Sequence, residues 1–268
     1  MMCGKVIRLK RLLHGKYHKA CIVPLDHGVT LGPIVGITDY IDTVRQVLEG
    51  GADAVILHKG LLKSVSEHYD LLKGKFIMHL SASTRLGPDP SAKVLVSTVE
   101  EAVKLGADGV SVHVNLGTST EAGMIKDLGS VSSACQNWGM PLLAMMYTSN
   151  GSENFHQTIH AARIAEELGA DIVKIDFPKK TDVLTELVQK IKIPVLIAGG
   201  AKLDKPEELL EVIDLALKAG ISGVAIGRNI FQYPNPKFIT SLISKLVHGE
   251  IDLKEAVEEL QHLKDVAV

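Results

Sequence analysis

Short apolar runs alternate with amphipathic stretches along the whole chain. Each run is rich in β-branched side chains and is bounded by glycine, proline or polar residues, a pattern typical of buried parallel strands. The eight runs predict strands over Lys19–Leu25, Ala54–His58, Lys75–Leu80, Gly109–Val114, Pro141–Met146, Ile172–Ile175, Val195–Ala198 and Gly223–Ile226.

The stretches between these runs repeat apolar residues at three- and four-residue spacing. This spacing predicts helices that pack one face against a sheet. The helices are predicted over Ile37–Glu49, Val99–Leu105, Ser119–Trp138, Phe155–Leu168, Thr181–Lys190 and Lys205–Lys218. Two further helices, over Met1–His14 and Leu253–Leu263, are predicted to flank the series.

A recurring linker joins predicted helices to the strands that follow. It reads Gly-Ala-Asp at residues 51–53, 106–108 and 169–171, and a variant occupies residues 220–222. Glycine suits the left-handed backbone that commonly ends a helix. The linker therefore indicates one βα unit repeated along the chain.

Repeated βα units predict an α/β fold, the TIM (β/α)8 barrel, formed by a single domain over residues 1–268 with an extra helix at each terminus. The terminal helices are expected to pack across one end of the barrel or to contact another subunit. A doubly wound open sheet is the alternative architecture. No glycine-rich dinucleotide fingerprint follows the first predicted strand, which favours the barrel.

Composition narrows the class of protein. The chain has 268 residues, is 46% hydrophobic and carries a formal net charge of -2, so we expect a soluble enzyme rather than a nucleic-acid-binding protein. No apolar stretch approaches the ~20 residues that a membrane span needs. The N-terminus lacks the apolar core of a secretory signal. Three cysteines without CxxC spacing predict neither disulfides nor a zinc cluster, and we expect a cytoplasmic location.

One lysine interrupts an apolar strand. Lys174 lies in the run Ile172–Ile175, between Gly169 and Pro178. Burial disfavours an ammonium ion, and a neutral amine in an apolar pocket is what Schiff-base chemistry on a carbonyl substrate requires. The alternative is a structural lysine that pairs with a nearby aspartate or extends from the strand end. The strand alone leaves both interpretations open.

Polar residues follow most of the predicted strands. In a TIM barrel such residues meet at one face, where active sites are built. The set comprises Asp26-His27-Gly28, Lys59-Gly60, His113 with Asn115, Tyr147, Lys174, Gly199-Gly200-Ala201-Lys202 and Gly227-Arg228-Asn229.

The last two strand ends predict a phosphate site. Gly199 and Gly200 allow backbone N–H groups to approach an anion closely, and Gly227 precedes a predicted helix start that favours phosphate. Arg228 and Lys202 would supply positive charge where barrels commonly bind phosphate. The alternative is that the glycines only form tight turns.

Asp26 and Tyr147 are the candidates for proton transfer, since imine formation and carbon–carbon cleavage need an acid or base near the amine. Asp26 could instead stabilise a turn, and Tyr147 could be a core aromatic. His27, His58 and His113 could indicate a metal. No second carboxylate or short histidine spacing accompanies them, so we expect structural histidines and no metal.

Several ordered motifs resemble the archaeal-type class I aldolases over nearly the whole chain. They are Pro24-Leu25-Asp26-His27-Gly28, Ser81-Ala82-Ser83-Thr84 with Gly87-Pro88-Asp89-Pro90, Val112-His113-Val114-Asn115-Leu116-Gly117, Ala170-Asp171-Ile172-Val173-Lys174, Ala198-Gly199-Gly200-Ala201-Lys202 and Ile226-Gly227-Arg228-Asn229-Ile230-Phe231-Gln232.

The resemblance implies an imine between Lys174 and a phosphorylated ketose, with Asp26 and Tyr147 moving protons. It implies phosphate contacts from Gly199, Gly200, Lys202, Gly227 and Arg228, and a substrate pocket completed by His27, His113 and Asn115. No cofactor or metal is implied, because the protonated imine acts as the electron sink. It also implies a homo-oligomer, with a ring-based decamer as one form.

Within this family the chain resembles a synthase branch, which transfers a three-carbon ketose fragment to aspartate semialdehyde. Fructose-bisphosphate aldolase is the second enzyme interpretation, and a non-catalytic phosphometabolite-binding barrel is the alternative from another class. One segment departs from the family: the usual Pro-Arg-Gly after the tyrosine is replaced by Thr148-Ser149-Asn150-Gly151. Contacts to the distal end of the substrate are therefore expected to differ.

Overall fold

The computed structural model describes residues 3–15, 18–149, 151, 155–178 and 181–266. Eight parallel strands close into a barrel in the order β1-β10-β9-β8-β7-β6-β3-β2, and β4 and β5 form a separate antiparallel pair. The strands are β1 Ala20–Pro24, β2 Ala54–Leu57, β3 Phe76–His79, β4 Ser81–Ala82, β5 Val94–Leu95, β6 Gly109–Leu116, β7 Leu142–Thr148, β8 Ile172–Ile175, β9 Val195–Ala198 and β10 Gly223–Ala225. The predicted TIM barrel is confirmed, and the open sheet is wrong.

Helices surround the barrel and close its ends. They are α1 Cys3–Leu12, α2 His27–Leu31, α3 Tyr40–Glu49, α4 Lys59–Val65, α5 Val99–Lys104, α6 Glu121–Trp138, α7 Phe155–Glu167, α8 Thr181–Lys190, α9 Pro206–Lys218, α10 Arg228–Phe231, α11 Pro236–His248 and α12 Leu253–Val266. The apolar pattern did not indicate α2 and α4, because helices of 5 and 7 residues complete fewer than two full turns. No helix in the described ranges is long and apolar enough to cross a bilayer.

Alternate strand residues point into the barrel. Near the amino ends of the strands these residues are apolar, and Ile56, Ile77 and Ile172 belong to one buried inner cluster. Two residues further along each of these strands, the same alternation brings in His58, His79 and Lys174. The interior therefore changes from apolar to polar toward the carboxyl ends of the strands. We call that end the mouth and the opposite end the floor.

At the floor, the recurring linker has two roles. Its glycine has positive φ in all four copies, 90° at Gly51 and 87° at Gly169 for example, as predicted for left-handed helix ends. Its aspartate binds the backbone of a neighbouring strand. Asp53 accepts from the Cys21 N–H at 2.7 Å, Asp108 from the Phe76 N–H at 3.0 Å and Asp171 from the Leu142 N–H at 2.8 Å. The linker thus ties pairs of strands together where they begin.

Helix α1 and the residues after it lie across the floor and pair with the same three aspartates. Lys5 Nζ is 2.8 Å from Asp171, an Arg11 nitrogen 3.0 Å from Asp108, and His14 Nε2 3.1 Å from Asp53. Leu12 and Leu13 enter the inner cluster. Packing of the N-terminal helix across the barrel is therefore confirmed, although Met1 and Met2 of the predicted helix lie outside the described residues. Helix α12 packs against α9 and α11.

Candidate active site

A cavity of about 200 Å³ opens at the mouth. Six predicted site residues line it together: Asp26, His27, His113, Tyr147, Lys174 and Arg228. The other five predicted residues do not line this cavity: Asn115, Gly199, Gly200, Lys202 and Gly227. The barrel thus brings the amine, the two proton-transfer candidates and one cation to a single enclosed space.

Lys174 lies on β8, between Met145 of β7 and Leu196 of β9 in the sheet register. The residue is 7% exposed, and its Nζ lies 5.9 Å from the centroid of the Tyr147 ring. Asp171, a possible structural partner in the sequence, binds Lys5 at the floor instead. Within the described ranges Lys174 forms no ion pair with any carboxylate. The amine is therefore buried and available to a substrate in the cavity.

Asp26 follows β1 and precedes α2 without capping that helix. Its carboxylate lies 3.4 Å from His27 Nδ1 and 3.6 Å from His79 Nε2. Burial raises the pKa of Asp26, but the opposing influence of His79, His27 and Lys174 is stronger and holds it below its usual range. Asp26 is therefore a carboxylate at neutral pH and can accept a proton.

Behind Asp26 lies a pair of residues that the sequence pattern did not single out. His79 Nδ1 is 2.8 Å from Ser111 Oγ, and both residues are buried. Burial lowers the pKa of His79 to about 4, so its imidazole is neutral at neutral pH. Strand alternation from Ile77 could have identified His79 as inward-facing. Ser111, His79 and Asp26 thus form a line from β6 to the cavity.

Tyr147 faces the cavity from β7, next to His113 of β6. The centroids of their rings are 4.6 Å apart. Burial raises the pKa of Tyr147 and outweighs the opposing influence of the nearby Lys174, so the hydroxyl keeps its proton at neutral pH. Burial also lowers the pKa of His113 to about 3. Asn115 Oδ1 lies 2.8 Å from His113 Nε2, which places Asn115 behind the histidine.

The loops after β9 and β10 meet beside the cavity. Arg228 Nη2 donates to the Gly200 carbonyl at 2.8 Å. Asn229 Nδ2 donates to the carbonyls of Gly199 at 2.8 Å and Ala201 at 2.9 Å, and so fastens one loop to the other. The predicted helix start after β10 is confirmed as α10. The sequence motif included Asn229 but gave no reason for it.

Glycine is needed at three positions in these loops, for different structural reasons. Gly200 has φ 65°, and its Cα faces open space. A side chain on Gly199 would meet Ile226 at 2.6 Å, and one on Gly227 would meet the Pro24 carbonyl at 2.7 Å. Lys202 lies on the exposed side, where Nζ donates to the Gln232 carbonyl at 3.0 Å. Among these residues, Arg228 brings positive charge to the cavity wall.

Residues 81–96, which we call the mouth segment, cover part of the opening and contain β4 and β5. Side chains of α2, β6 and α4 hold the segment. Thr30 Oγ1 donates to the Ser83 carbonyl at 3.0 Å, Asn115 Nδ2 to the Ser91 carbonyl at 2.6 Å, and Lys59 Nζ to the Val96 carbonyl at 2.9 Å. Arg85 and Lys93 of this segment line the cavity. Neither was among the site residues predicted from the sequence.

The mouth histidines have partners other than a metal. His79 and His113 bind Ser111 and Asn115, and His27 packs on Phe231 with ring centroids 5.1 Å apart. In the part of the chain that the structure describes, no three His, Cys, Asp or Glu side chains converge as metal ligands would. Asn150 and residues 152–154, in the loop after β7, lie outside the described residues.

Comparison with known proteins identifies the fold's relatives. The model of the DeoC/LacD family aldolases matches residues 20–233. 2-Amino-3,7-dideoxy-D-threo-hept-6-ulosonate synthase 1 of Archaeoglobus fulgidus is 42% identical, with 96% of each chain covered. 2-Amino-4,5-dihydroxy-6-oxo-7-(phosphonooxy)heptanoate synthase of Streptomyces griseus is 39% identical over 92% of this chain and 91% of that protein. An archaeal fructose-1,6-bisphosphate aldolase, solved with its catalytic lysine bound to the carbinolamine intermediate, has a TM-score of 0.81 at 28% identity, covering 91% of this chain and 100% of that one.

Proposed function

Because the chain belongs to the DeoC/LacD family of aldolases, we propose that it joins a three-carbon ketone unit, held as an imine on Lys174, to an amino-acid aldehyde. The observation that carries the proposal is the Lys174 amine, buried in a cavity that also contains Asp26 and Tyr147. An aldolase is the predicted class of enzyme, and family membership confirms it over a non-catalytic binding barrel.

The residues around the amine supply a base and an acid. Lys174 Nζ attacks the ketone carbon, and loss of water gives the protonated imine, which withdraws electrons from the adjacent carbon. Asp26, as a carboxylate, takes the proton from that carbon. Tyr147, as a neutral phenol, donates the proton that water needs to leave, or the one that the acceptor's oxygen takes up when the bond forms. The two pKa shifts keep Asp26 ionised and Tyr147 protonated at neutral pH, which are the forms that these two roles need.

The phosphate of the donor would lie at the loops after β9 and β10. Arg228 lines the cavity and is fixed by Gly200, and a guanidinium presents several N–H donors to a phosphate. Gly200 leaves open space above its backbone. Lys202 is the outermost candidate and would contribute mainly long-range charge.

The nature of the acceptor follows from the products that the relatives are named for. Both products are seven-carbon 2-amino acids with a ketone at C6. An aldol bond between C4 and C5 divides such a product into a three-carbon ketone unit and a four-carbon 2-amino acid with an aldehyde at C4. That four-carbon unit is aspartate semialdehyde. We infer that this chain uses the same acceptor.

Trapping the imine tests the proposal. Borohydride added with dihydroxyacetone phosphate, or with a longer phosphorylated ketose, should reduce the imine to a stable secondary amine. Mass spectrometry of the peptides should place the added mass on Lys174, and Lys174→Met should show none. If aspartate semialdehyde is added before borohydride, the enzyme should release a seven-carbon amino acid, and less adduct should be found on Lys174. Absence of an adduct with every ketose phosphate would remove the proposal.

Fructose-1,6-bisphosphate cleavage is the second candidate, favoured by the 28% identical solved aldolase. The two functions differ in the aldehyde that reacts at the enamine. If fructose 1,6-bisphosphate is cleaved faster than aspartate semialdehyde is consumed at equal concentrations, the second candidate becomes the main function.

A further inference from the structure

Resting on the proposed function, we propose that Lys93, assisted by Arg85, binds the carboxylate of an anionic acceptor aldehyde on the side of the mouth opposite the donor phosphate. Both residues belong to the mouth segment and line the same cavity as Lys174. Nothing in the predicted catalytic set uses either cation.

Within the described part of the chain neither cation forms an ion pair, and Asp26, elsewhere on the cavity wall, attracts Lys93 without contacting it. Lys93 is half-buried, and its Nζ donates to Ser83 Oγ at 2.6 Å. An ammonium group has three N–H donors, so one neutral hydroxyl does not satisfy it. Burying a cation without an anion is costly, and a carboxylate entering the cavity would remove that cost.

The position of Lys93 distinguishes it from Arg228. Ser91, two residues before Lys93, accepts a hydrogen bond from Asn115 of β6 at 2.6 Å, and Lys93 Nζ donates to Ser83, just after β4, so this part of the mouth segment is held against β6. Arg228 follows β10. In the closed strand order, β6 and β10 are separated by three strands in either direction, so they lie on opposite sides of the barrel.

Lys174 occupies β8, midway between β10 and β6 along one side of the barrel. A donor bound through phosphate at Arg228 would place its reactive carbon at the amine. An acceptor approaching that carbon would then extend toward β6, where Lys93 lies. Arg85 lies nearer to α2, where its backbone N–H is bound to the Thr30 carbonyl at 3.2 Å, so it is farther from β6 than Lys93 and would add charge to the acceptor's carboxylate only as the secondary group.

This arrangement also accounts for the departure in the loop after β7. The chain lacks the arginine that the resemblance leads one to expect there. The mouth segment supplies cations to the same cavity from another element. The substrates that fit are a donor with a phosphate and an acceptor with a carboxylate. The product of their joining has the phosphate at one end and the carboxylate at the other.

The test compares a charged and a neutral acceptor. Lys93→Met and Arg85→Met are assayed with aspartate semialdehyde and with its methyl ester, using one phosphorylated ketose as donor. Lys104→Met removes an exposed positive charge on α5 as a matched control, and Ser83→Ala removes the partner of Lys93 while keeping the charge. Borohydride trapping with donor alone is measured for every variant.

For Lys93→Met we expect kcat/KM for the free acid to fall roughly 10- to 100-fold, the size of a lost hydrogen bond between charged groups. The ester should change by less than about threefold, and Lys93→Arg should recover most of the loss. Arg85→Met should have a smaller effect in the same direction. Lys104→Met should leave the ratio of acid to ester close to that of the wild type, whereas Ser83→Ala, which releases Lys93 but keeps its charge, should lower the ratio less than Lys93→Met does.

Equal losses with acid and ester would overturn the inference, because they would indicate a structural role. A lower yield of trapped imine in Lys93→Met would also overturn it, because Lys93 would then bind the donor. Failure of the proposed function is separate: in that case the wild-type protein would show no adduct on Lys174 at all.

Discussion

The floor and the mouth of this barrel differ in whether their charged side chains form ion pairs. At the floor, Asp53, Asp108 and Asp171 each bind a backbone N–H and a basic side chain from α1 or just after it. At the mouth, Lys174, Lys93 and Arg85 have no carboxylate within ion-pair distance in the described ranges, and Asp26 is the single carboxylate lining the cavity. The charged groups of the floor pair with one another, whereas the cations of the mouth segment form no ion pair.

Cavity size alone would have indicated the wrong end. The floor has a cavity of about 650 Å³, lined by His14, Asp53 and His248 among others, against about 200 Å³ at the mouth. In the floor cavity both histidines pair with Asp53, and Glu49 and Lys245 pair with Lys237 and Glu259 outside it. The contrast teaches that charges left unpaired and shifted pKa values, rather than volume, locate the reactive end of this barrel.

The largest expected effect comes from Lys174→Met at the mouth. Without the amine no imine forms, and kcat should fall roughly 10⁴-fold or more, about 5.5 kcal/mol in activation free energy. The free energy of unfolding should stay within about 1 kcal/mol of the wild type, because an unpaired buried amine does not stabilise the fold. Urea denaturation and steady-state kinetics measure the two quantities. A large loss of stability would contradict the contrast between the two ends.

The reverse experiment is Asp171→Ala at the floor. Lys5 would be left buried without its partner, and the free energy of unfolding should fall by about 3–5 kcal/mol. Asp108→Ala is the matched control and should cost less, because its partner Arg11 is half-exposed. Activity per folded molecule should be unchanged in both variants. A specific loss of kcat would show that the floor also serves catalysis.

An intermediate effect is expected for His79→Gln, behind Asp26. Loss of the histidine should reduce kcat roughly tenfold, because the carboxylate would no longer be positioned. His79 also helps to hold the pKa of Asp26 down, so its removal should move the acid limb of the kcat profile to higher pH. Ser111→Ala should show the same trend more weakly. A lower kcat with an unmoved acid limb would indicate disturbed packing instead.

The smallest effect concerns His248, which binds Asp53 at 2.9 Å. The hydrogen bond to Asp53 raises the pKa of His248. A raised pKa gives stability that is complete below the unfolded value of about 6.5 and is lost as pH rises through the folded value. The stability difference between wild type and His248→Gln should therefore shrink as the pH rises from 6 to 9. The same difference at both pH values would contradict this.

Much of the fold could be predicted because the barrel repeats one simple pattern. Strands β8 and β9 were predicted with their observed ends, since apolar runs bounded by turn residues fix them. The recurring glycines were also predicted correctly. The aspartates beside them were not explained, because their partners lie between 29 and 195 residues away in the sequence. Local patterns do not contain such pairings.

The site was predicted where chemistry follows a strand end directly. Lys174, Asp26, Tyr147 and Arg228 do line one cavity. Lys93 and Arg85 were not proposed, because they lie in the mouth segment. The path of that segment depends on hydrogen bonds to α2, β6 and α4, which are distant in the sequence. The catalytic and binding roles of these residues stay predictions. The homo-oligomer also stays a prediction.

The three ion pairs between the N-terminal residues and the floor run in reverse along the chain. His14 pairs with Asp53, Arg11 with Asp108 and Lys5 with Asp171. During synthesis the helix therefore cannot finish docking until the sixth barrel strand emerges. At about 5–20 residues per second, this delay is on the order of ten seconds. Residues 5–14 are therefore secured only after much later parts of the chain, and until then the barrel interior is unsealed at that end.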